Sequence, residues 1–396
     1  MSGDGFELGV FADSVRRFMD RRVLPGLAAW EAAGEVPREV VREAGTLGIL
    51  GLGYPEELGG TPVPHAVRNA LSVAMSRWGA SGGFLASLFS HNIGLPPLLR
   101  HGSDALQQEV IPGVLRGEQI AALAITEPDA GSDVAALRTR ARREGGDYVL
   151  DGEKVFITSG MRADWITVAV RTGEPGSRGA SGISLLVVPG DAPGLTRTRL
   201  DKMGWLCSDT AHLRFDGVRV PARLLVGEEG AGFKIIMGNF NGERLTMAAM
   251  ALGLAQACLD EALAWARERQ AFGGALIDKQ VVRHKLVDMQ MRIHATEAWL
   301  NSVTALADEN WGQIPISSRG TRLESDPDLV AQVCMLKNQA TQTLQFCADQ
   351  AVQILGGMGY MRGTKCERIY REVKVMMIGG GAEEVMKDLA ARKLGL

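Results

Sequence analysis

The sequence is poor in cysteine and histidine, and the arrangement of these residues excludes the sites that they usually build. The 396 residues include only five cysteines and six histidines. No two cysteines have the close spacing of a zinc site, and an odd number in a large chain is typical of reduced thiols. The histidines form no pair at helical spacing with a third ligand in view. We therefore expect no metal site.

The sequence also lacks an excess of basic residues. Its formal net charge is -3, so composition does not favour nucleic acid over other partners. The first turns of the chain contain Asp4, Glu7, Asp13 and Asp20, which a signal peptide would not carry. We expect no apolar run to cross a bilayer. These features predict a cytoplasmic protein with no membrane insertion and no nucleic-acid partner.

Three nucleotide-binding and nucleophile motifs are absent. The sequence contains no Gly-Lys-Ser/Thr phosphate loop and no Gly-x-Gly-x-x-Gly after a predicted strand. No serine lies in a Gly-x-Ser-x-Gly elbow. If the protein is an enzyme, a bound cofactor of another kind is expected to carry the difficult chemistry.

The chain is too long for one compact core, and its apolar period changes twice. Residues 1–122 have a helical pattern interrupted by Gly and Pro. Residues 123–232 have strand patterns, and a long helical period returns over residues 233–396. The sequence thus predicts an α+β fold: an N-terminal helical domain, a middle antiparallel β-barrel or sandwich domain, and a C-terminal four-helix bundle.

Local patterns refine this prediction. Asp151-Gly152 separates two apolar runs and predicts a tight hairpin between Tyr148–Leu150 and Val155–Ile157. The polar segment Gly312–Asp328 predicts a surface loop. Further strands are predicted over residues 166–170, 183–188 and 212–220, and long helices over residues 282–303 and 329–355.

Five segments are candidates for chemistry, and each also has a purely structural interpretation. Thr126–Asp133 suits a backbone approach to a planar ring but also an ordinary capped turn. Phe156–Gly160 suits either a ring over a flat cofactor or core packing. Arg269, in the segment Glu268–Gly273, suits pyrophosphate binding or a solvated helix end. The glycines of Gln353–Tyr360 suit close approach of a ligand or a helix stop.

The fifth segment, Asn241–Leu245, is predicted to open a long helix that continues to Trp265. A carboxylate in a first helical turn is stabilised by the helix dipole, which is the structural interpretation of Glu243. A catalytic base would instead need a dry pocket that raises its pKa.

In this order and spacing the five segments resemble the acyl-CoA dehydrogenase family over nearly the whole chain. Thr126-Glu127-Pro128-x-Ala-Gly-Ser-Asp133 matches the family's flavin and substrate signature. Cys207-Ser208-Asp209-Thr210, Arg269-x-x-Phe272-Gly273 and Gln353-x-x-Gly356-Gly357 also match. The resemblance implies a homotetramer with FAD between the β domain and the C-terminal helices.

The resemblance also implies roles for individual residues. The expected flavin contacts are Leu123, Ile125, Thr126, Gly131, Ser132, Phe156, Thr158 and Glu384. The residues expected to reach the FAD of a neighbouring subunit are Arg269, Phe272, Gln280, Gln353, Gly356 and Gly357. The expected substrate contacts are Ser132, Asn241, Arg244 and Gly379.

The position of the catalytic base separates this sequence from many family members. Those carry it in a late Tyr-Glu-Gly-Thr run, where this chain has Gly379-Gly380-Gly381-Ala382. A minority, including the isovaleryl-CoA and long-chain types, place it in a Glu-Arg pair that matches Glu243-Arg244. The resemblance therefore implies Glu243 as the base, with the Gly380 N–H contributing to an oxyanion hole.

The resemblance implies FAD-dependent α,β-dehydrogenation of an acyl-CoA, with electron-transfer flavoprotein as the acceptor. The predicted substrate has a branched or a medium to long acyl chain. Glycine at 379 and 380 leaves space beside the reacting carbons, which favours branched acyl chains of the isovaleryl or citronellyl kind. Three alternatives stay open at this point: an oxidase, a dehydrogenase of carrier-protein thioesters, and a catalytically silent acyl-CoA-binding scaffold.

Overall fold

The computed structural model describes residues 8–173, 179–311 and 326–396. The N-terminal part is helical, with a π-helical turn at Met19–Val23. Ser81 and Ser103 each cap a following helix by accepting a backbone N–H, from Phe84 and Leu106 respectively. The helices are α1 (Leu8–Phe18), α2 (Leu24–Ala33), α3 (Arg38–Thr46), α4 (His65–Gly79), α5 (Gly82–Leu88), α6 (His91–Gly94), α7 (Pro96–His101) and α8 (Asp104–Leu115).

The middle part forms one eight-stranded sheet. Its strands are β1 (Ala121–Ala124), β2 (Arg140–Glu144), β3 (Asp147–Thr158), β4 (Trp165–Arg171), β5 (Ile183–Pro189), β6 (Leu195–Arg199), β7 (Thr210–Pro221) and β8 (Leu225–Val226). They follow the order β6-β7-β3-β2-β4-β5-β8, with β1 paired to β4. Most neighbours are antiparallel, but β1 and β2 each pair with β4 in parallel.

The hairpin predicted at Asp151-Gly152 is wrong. Residues 147–158 form the single strand β3, which pairs with β7 from Asp147 to Thr158. The register shifts between Leu150 and Gly152, and Gly152 has a φ of 143°. Glycine allows this backbone conformation, so the Asp-Gly pair makes a β-bulge instead of reversing the chain.

The C-terminal part consists of long helices and one small hairpin. Its helices are α9 (Gly232–Glu268), α10 (Gln280–Trp311), α11 (Pro327–Leu355), α12 (Gly357–Tyr360), α13 (Lys365–Ile378) and α14 (Glu383–Leu394), with strands β9 (Gln270–Ala271) and β10 (Gly274–Ala275). The two long helices predicted within α10 and α11 are confirmed, as is the α+β class in the helical, sheet, helical order. Residues 312–325 of the predicted surface loop lie outside the described residues.

Helix α9 is the central element of the helical core. Its residues pack against α4, α10, α11 and α13. The helix is long and apolar enough to cross a membrane by composition, contrary to the sequence expectation, but 61% of its most apolar window is buried inside the protein. Burial against other helices explains this apolar character without a membrane.

Polar contacts connect the N-terminal helices to the β domain and to α10. The Arg38 guanidinium donates to the Asp164 carboxylate at 3.0 Å, and Asp164 also accepts the Ile120 N–H at 2.8 Å. On the other side, the Asp308 carboxylate of α10 accepts the first N–H groups of α4, from His65 and Ala66. These contacts satisfy groups that would otherwise lack a partner at element ends.

The crossing of α4 and α9 depends on Gly253. A Cβ at this position would lie 2.6 Å from the Ser76 Cβ and would also press on the Val73 carbonyl. We expect Gly253→Ala to lower the free energy of unfolding by about 1–3 kcal/mol, because neither backbone can give way without repacking. Thermal or denaturant unfolding measures this effect.

The matched control is Gly242→Ala in the same helix, where a Cβ would meet nothing within 4 Å. Alanine there gains helix propensity, so stability should stay constant or rise. Equal destabilisation by both substitutions would contradict the packing argument.

Candidate active site

Glu243 lies inside α9 rather than at its beginning. The helix starts at Gly232, so Glu243 is about three turns from the N-terminus. The prediction that Asn241–Leu245 opens the helix is therefore wrong. Stabilisation of a first-turn carboxylate by the helix dipole does not apply to Glu243, because that effect fades beyond the first turn.

The Glu243 carboxylate is held away from water and lacks a full set of partners. The residue retains some exposed surface, but its Oε2 atom is buried and accepts no hydrogen bond from the part of the chain that the structure describes. Burial raises the pKa of Glu243 to about 7, while the positive charges of Arg244 and Lys337 act in the opposite direction. A carboxylate with this pKa is matched to proton transfer near neutral pH.

A turn of three glycines faces Glu243. Gly379, Gly380 and Gly381 join α13 to α14, and Gly380 and Gly381 have φ values of 67° and 111°. A Cβ at Gly380 would lie 3.8 Å from Glu243 Oε1 and 3.3 Å from the Met247 Cε. The turn therefore brings a backbone segment close to the carboxylate with no side chain between them.

Arg244 fastens this turn to α9. Its Nε donates to the Gly380 carbonyl at 2.9 Å, and its Nη1 donates to Asn241 Oδ1 at 3.1 Å. Both Arg244 and Asn241 are buried. The structure thus brings together Glu243, Arg244, Asn241 and the Gly379–Gly381 turn, while Ser132 is exposed on the β domain.

The predicted flavin residues of the β domain lie at two adjacent strand ends. Leu123 belongs to β1, and Ile125 and Thr126 follow that strand directly. Phe156 and Thr158 end β3, and the Val155 N–H donates to the Thr126 carbonyl at 2.9 Å. Gly131, like Ser132, is exposed in the loop after Thr126.

Phe156 and Phe272 are not core residues. Their side chains are 69% and 94% exposed, and both have positive φ values, of 62° and 52°. An exposed ring on a backbone that L-residues rarely adopt needs a partner outside the fold. This excludes core packing as the interpretation of Phe156 and fits a surface that a flat ligand or a second chain covers.

The residues expected to reach a neighbouring FAD lie at one end of the C-terminal helices. Arg269 and Phe272 follow the end of α9, Gln280 begins α10, and Gln353 lies in the last turn of α11. Lys285 of α10 donates to Gln350 of α11 at 2.5 Å, which brings these two helix ends together. Arg269, Phe272, Gln280, Gln353, Gly356 and Gly357 are all exposed on this chain, as is Glu384 in the first turn of α14.

Two buried lysines near these segments were missed from sequence. Lys337 of α11 donates to the carbonyls of Met377 and Gly381, and Lys154 of β3 pairs with Glu127 at 2.7 Å. Lys337 lies on the apolar face of its helix, four residues before the buried Thr341. A charged residue on a buried helical face was the signal that could have identified it.

A buried carboxylate beside a backbone turn that has no side chains suits proton abstraction from carbon. The exposed Phe156 ring, two residues before Thr158, suits contact with a flat cofactor that completes the chemistry. The fold and site thus indicate the class of cofactor-dependent enzymes.

Comparison with known proteins specifies this class. Models of the N-terminal, middle and C-terminal domains of acyl-CoA dehydrogenase match residues 7–118, 122–218 and 230–395. The chain belongs to the acyl-CoA dehydrogenase family. Members of this family are FAD-dependent oxidoreductases that act on CH–CH bonds, so FAD is the cofactor.

Individual relatives cover almost the whole chain. The rat mitochondrial long-chain specific acyl-CoA dehydrogenase is 35% identical, over 98% of this chain and 86% of its own length. Rice mitochondrial isovaleryl-CoA dehydrogenase is 32% identical, over 97% and 90%. A crystal structure described as a putative acyl-CoA dehydrogenase from Mycobacterium smegmatis is 43% identical, with a TM-score of 0.90 over 98% of this chain and 97% of its own.

The raised pKa of Glu243 predicts a pH-dependent stability. Because its folded-state pKa of about 7 exceeds the ordinary value of 4.5, protonation favours the fold below pH 4.5. This contribution is lost as pH rises through 7. We expect Glu243→Gln to be more stable than the wild type by about 1–3 kcal/mol at pH 8 and nearly equal to it at pH 4. Denaturant unfolding at both pH values measures the difference.

Glu383→Gln is a control of opposite sign. Lys387 lowers the pKa of Glu383, and Gln342 also donates to this carboxylate. Its removal should therefore destabilise the protein at pH 8. A Glu243→Gln variant that is less stable than the wild type at pH 8 would refute the buried-charge assignment.

Proposed function

We propose that this protein dehydrogenates the α,β bond of an acyl-CoA thioester, with Glu243 as the base that removes the α-proton. The observation that carries the proposal is the buried Glu243 Oε2, which has no hydrogen-bond partner among residues 8–173, 179–311 and 326–396. A carboxylate so placed favours proton uptake, because protonation removes a charge that burial penalises. Bound FAD supplies hydride acceptance from the β-carbon.

The Gly379–Gly381 turn supplies the second part of the mechanism. Removal of the α-proton places negative charge on the thioester oxygen. In this proposal the Gly380 N–H donates to that oxygen, and Arg244 fixes the same residue through its carbonyl. A pre-oriented donor in a site without water typically contributes several kcal/mol to such a step.

The residues proposed to hold FAD form two sets. Leu123, Ile125, Thr126, Gly131, Ser132, Phe156 and Thr158 belong to the β domain, with Glu384 at the start of α14. Arg269, Phe272, Gln280, Gln353, Gly356 and Gly357 would contact the FAD of a second subunit in a homotetramer. The residues of this second set are exposed on a single chain, which supports their contact with another molecule.

The substrate class follows from the glycine turn. Side chains are absent at Gly379 and Gly380, and Met247 borders the space at Gly380. We infer a branched acyl chain, with Asn241, Arg244, Ser132 and Gly379 on the substrate side. The long-chain and isovaleryl-CoA relatives are compatible with an extended or branched acyl group. Electron-transfer flavoprotein is the proposed acceptor, and the cytoplasm the proposed location.

Anaerobic addition of acyl-CoA tests the role of Glu243. The wild-type flavin should lose its visible absorbance on reduction. Glu243→Gln should retain FAD and reduce it at least about 1,000-fold more slowly, because a carboxamide cannot accept the α-proton. Stopped-flow absorbance measures both rates.

Glu118→Gln is the control, since this exposed residue pairs with Arg116 at the surface. Normal flavin reduction by Glu243→Gln would refute the assignment. Absence of reduction in the wild type with every acyl-CoA would instead favour a silent acyl-CoA-binding protein.

An acyl-CoA panel tests the inferred preference for branched chains. Isovaleryl-CoA or citronellyl-CoA should give a higher kcat/KM than butyryl-CoA. Gly379→Ala, at a φ of -64° that alanine adopts freely, should reduce turnover of the branched substrates more than that of butyryl-CoA. A clear preference of the wild type for butyryl-CoA would reverse the inference.

A further inference from the structure

Lys337 occupies an unusual position for a lysine. Its side chain is fully buried on α11, and in the described part of the chain no carboxylate lies within ion-pair distance of its ammonium. Burial of an ammonium group costs several kcal/mol unless hydrogen bonds replace its water. The N–H donors of Lys337 therefore need acceptors inside the protein.

The hydrogen bonds of Lys337 connect α11 to the glycine turn. Its Nζ donates to the Gly381 carbonyl at 2.8 Å and to the Met377 carbonyl at 3.2 Å. Met377 lies in the last turn of α13, where carbonyls lack helical partners and the helix dipole favours a cation. The ammonium therefore joins the end of α13 to the far side of the glycine turn.

The turn depends on such anchors because glycine has little conformational preference. Three consecutive glycines lose more backbone entropy on ordering than any other tripeptide. Arg244 fixes the Gly380 carbonyl from α9, and Lys337 fixes the carbonyls of Met377 and Gly381 from α11. The two cations thus hold the turn on both sides of Gly380.

The charge of Lys337 also acts on the site. Lys337 and Arg244 are the two groups whose charge lowers the pKa of Glu243 against the effect of burial. Lys337 itself is faced by Glu243 and Arg244 of α9, Cys334 of its own helix, and Glu383 of α14. Its ammonium is thus part of the electrostatic environment that Glu243 experiences.

We propose that Lys337 is a positioning residue for catalysis, whose ammonium holds the Gly379–Gly381 turn so that Gly380 stays beside the Glu243 carboxylate. This role rests on the proposed function of Glu243 and Gly380. Lys337 touches neither substrate nor cofactor in this proposal, and it acts through the two carbonyls that it binds.

Two substitutions separate its hydrogen bonds from its charge. Lys337→Met removes both, and Lys337→Gln retains an N–H donor without charge. We expect Lys337→Met holoenzyme to reduce its flavin about 100-fold more slowly, because displacement of a catalytic group by about 1 Å has an effect of this size. Lys337→Gln should fall between Lys337→Met and the wild type.

The pH profile is the readout that a purely structural role would not change. Since the Lys337 charge favours the ionised form of Glu243, its loss should raise the pKa of Glu243. The acidic limb of kcat/KM should therefore move to higher pH in both variants. Lys365→Met, at an exposed lysine that begins α13, should retain the wild-type rate and limb.

A crystal structure of Lys337→Met gives a test without turnover, in which the Gly379–Gly381 turn should be displaced from Glu243. A displaced turn would support the anchoring role even if wild-type flavin were never reduced by an acyl-CoA, a result that would refute only the proposed function. An unmoved turn would overturn the proposal, as would an unshifted acidic limb in an active variant. If Lys337→Met does not fold, the same measurements on Lys337→Gln decide the question.

Discussion

The unfavourable burial of one carboxylate is the constraint on which the site depends. Glu243 has a buried oxygen that accepts no hydrogen bond from the described residues, and burial raises its pKa to about 7. The fold tolerates such a group because packing of the surrounding helices adds far more to the free energy of unfolding than the buried carboxylate removes. Helix α9 meets this condition, since its other buried residues belong to the large apolar core shared with α4, α10 and α11.

Two cations, Arg244 and Lys337, act on Glu243 through their charge and through the glycine turn that they hold. Arg244 donates to the Gly380 carbonyl and to Asn241, and Lys337 donates to two backbone carbonyls. Within the described residues, neither donates to the Glu243 carboxylate. A direct bond would stabilise the charged form and lower the basicity of the group. With the cations engaged elsewhere, the carboxylate keeps a high pKa while the flexible turn next to it is held in place.

The sequence predicted much of the fold and singled out Glu243 and the glycine turn as candidates, but it did not predict their environment. Periodicity identified α10 and α11, because their buried positions recur every three or four residues. It missed the first turns of α9, where Gly238, Asn239 and Gly242 weaken helix propensity and tertiary packing overrides it. Asp151-Gly152 has the composition of a hairpin turn, yet pairing of β3 with β7 along its whole length prevails.

The continuity of α9 restricts how its length can change. An α-helix turns by about 100° with each residue, so one residue inserted between Gly232 and Glu243 would rotate the carboxylate away from the glycine turn or displace the helix from β5. Insertions in surface loops carry no such penalty. Helical geometry therefore fixes the number of residues between the end of the sheet and the Glu243 carboxylate.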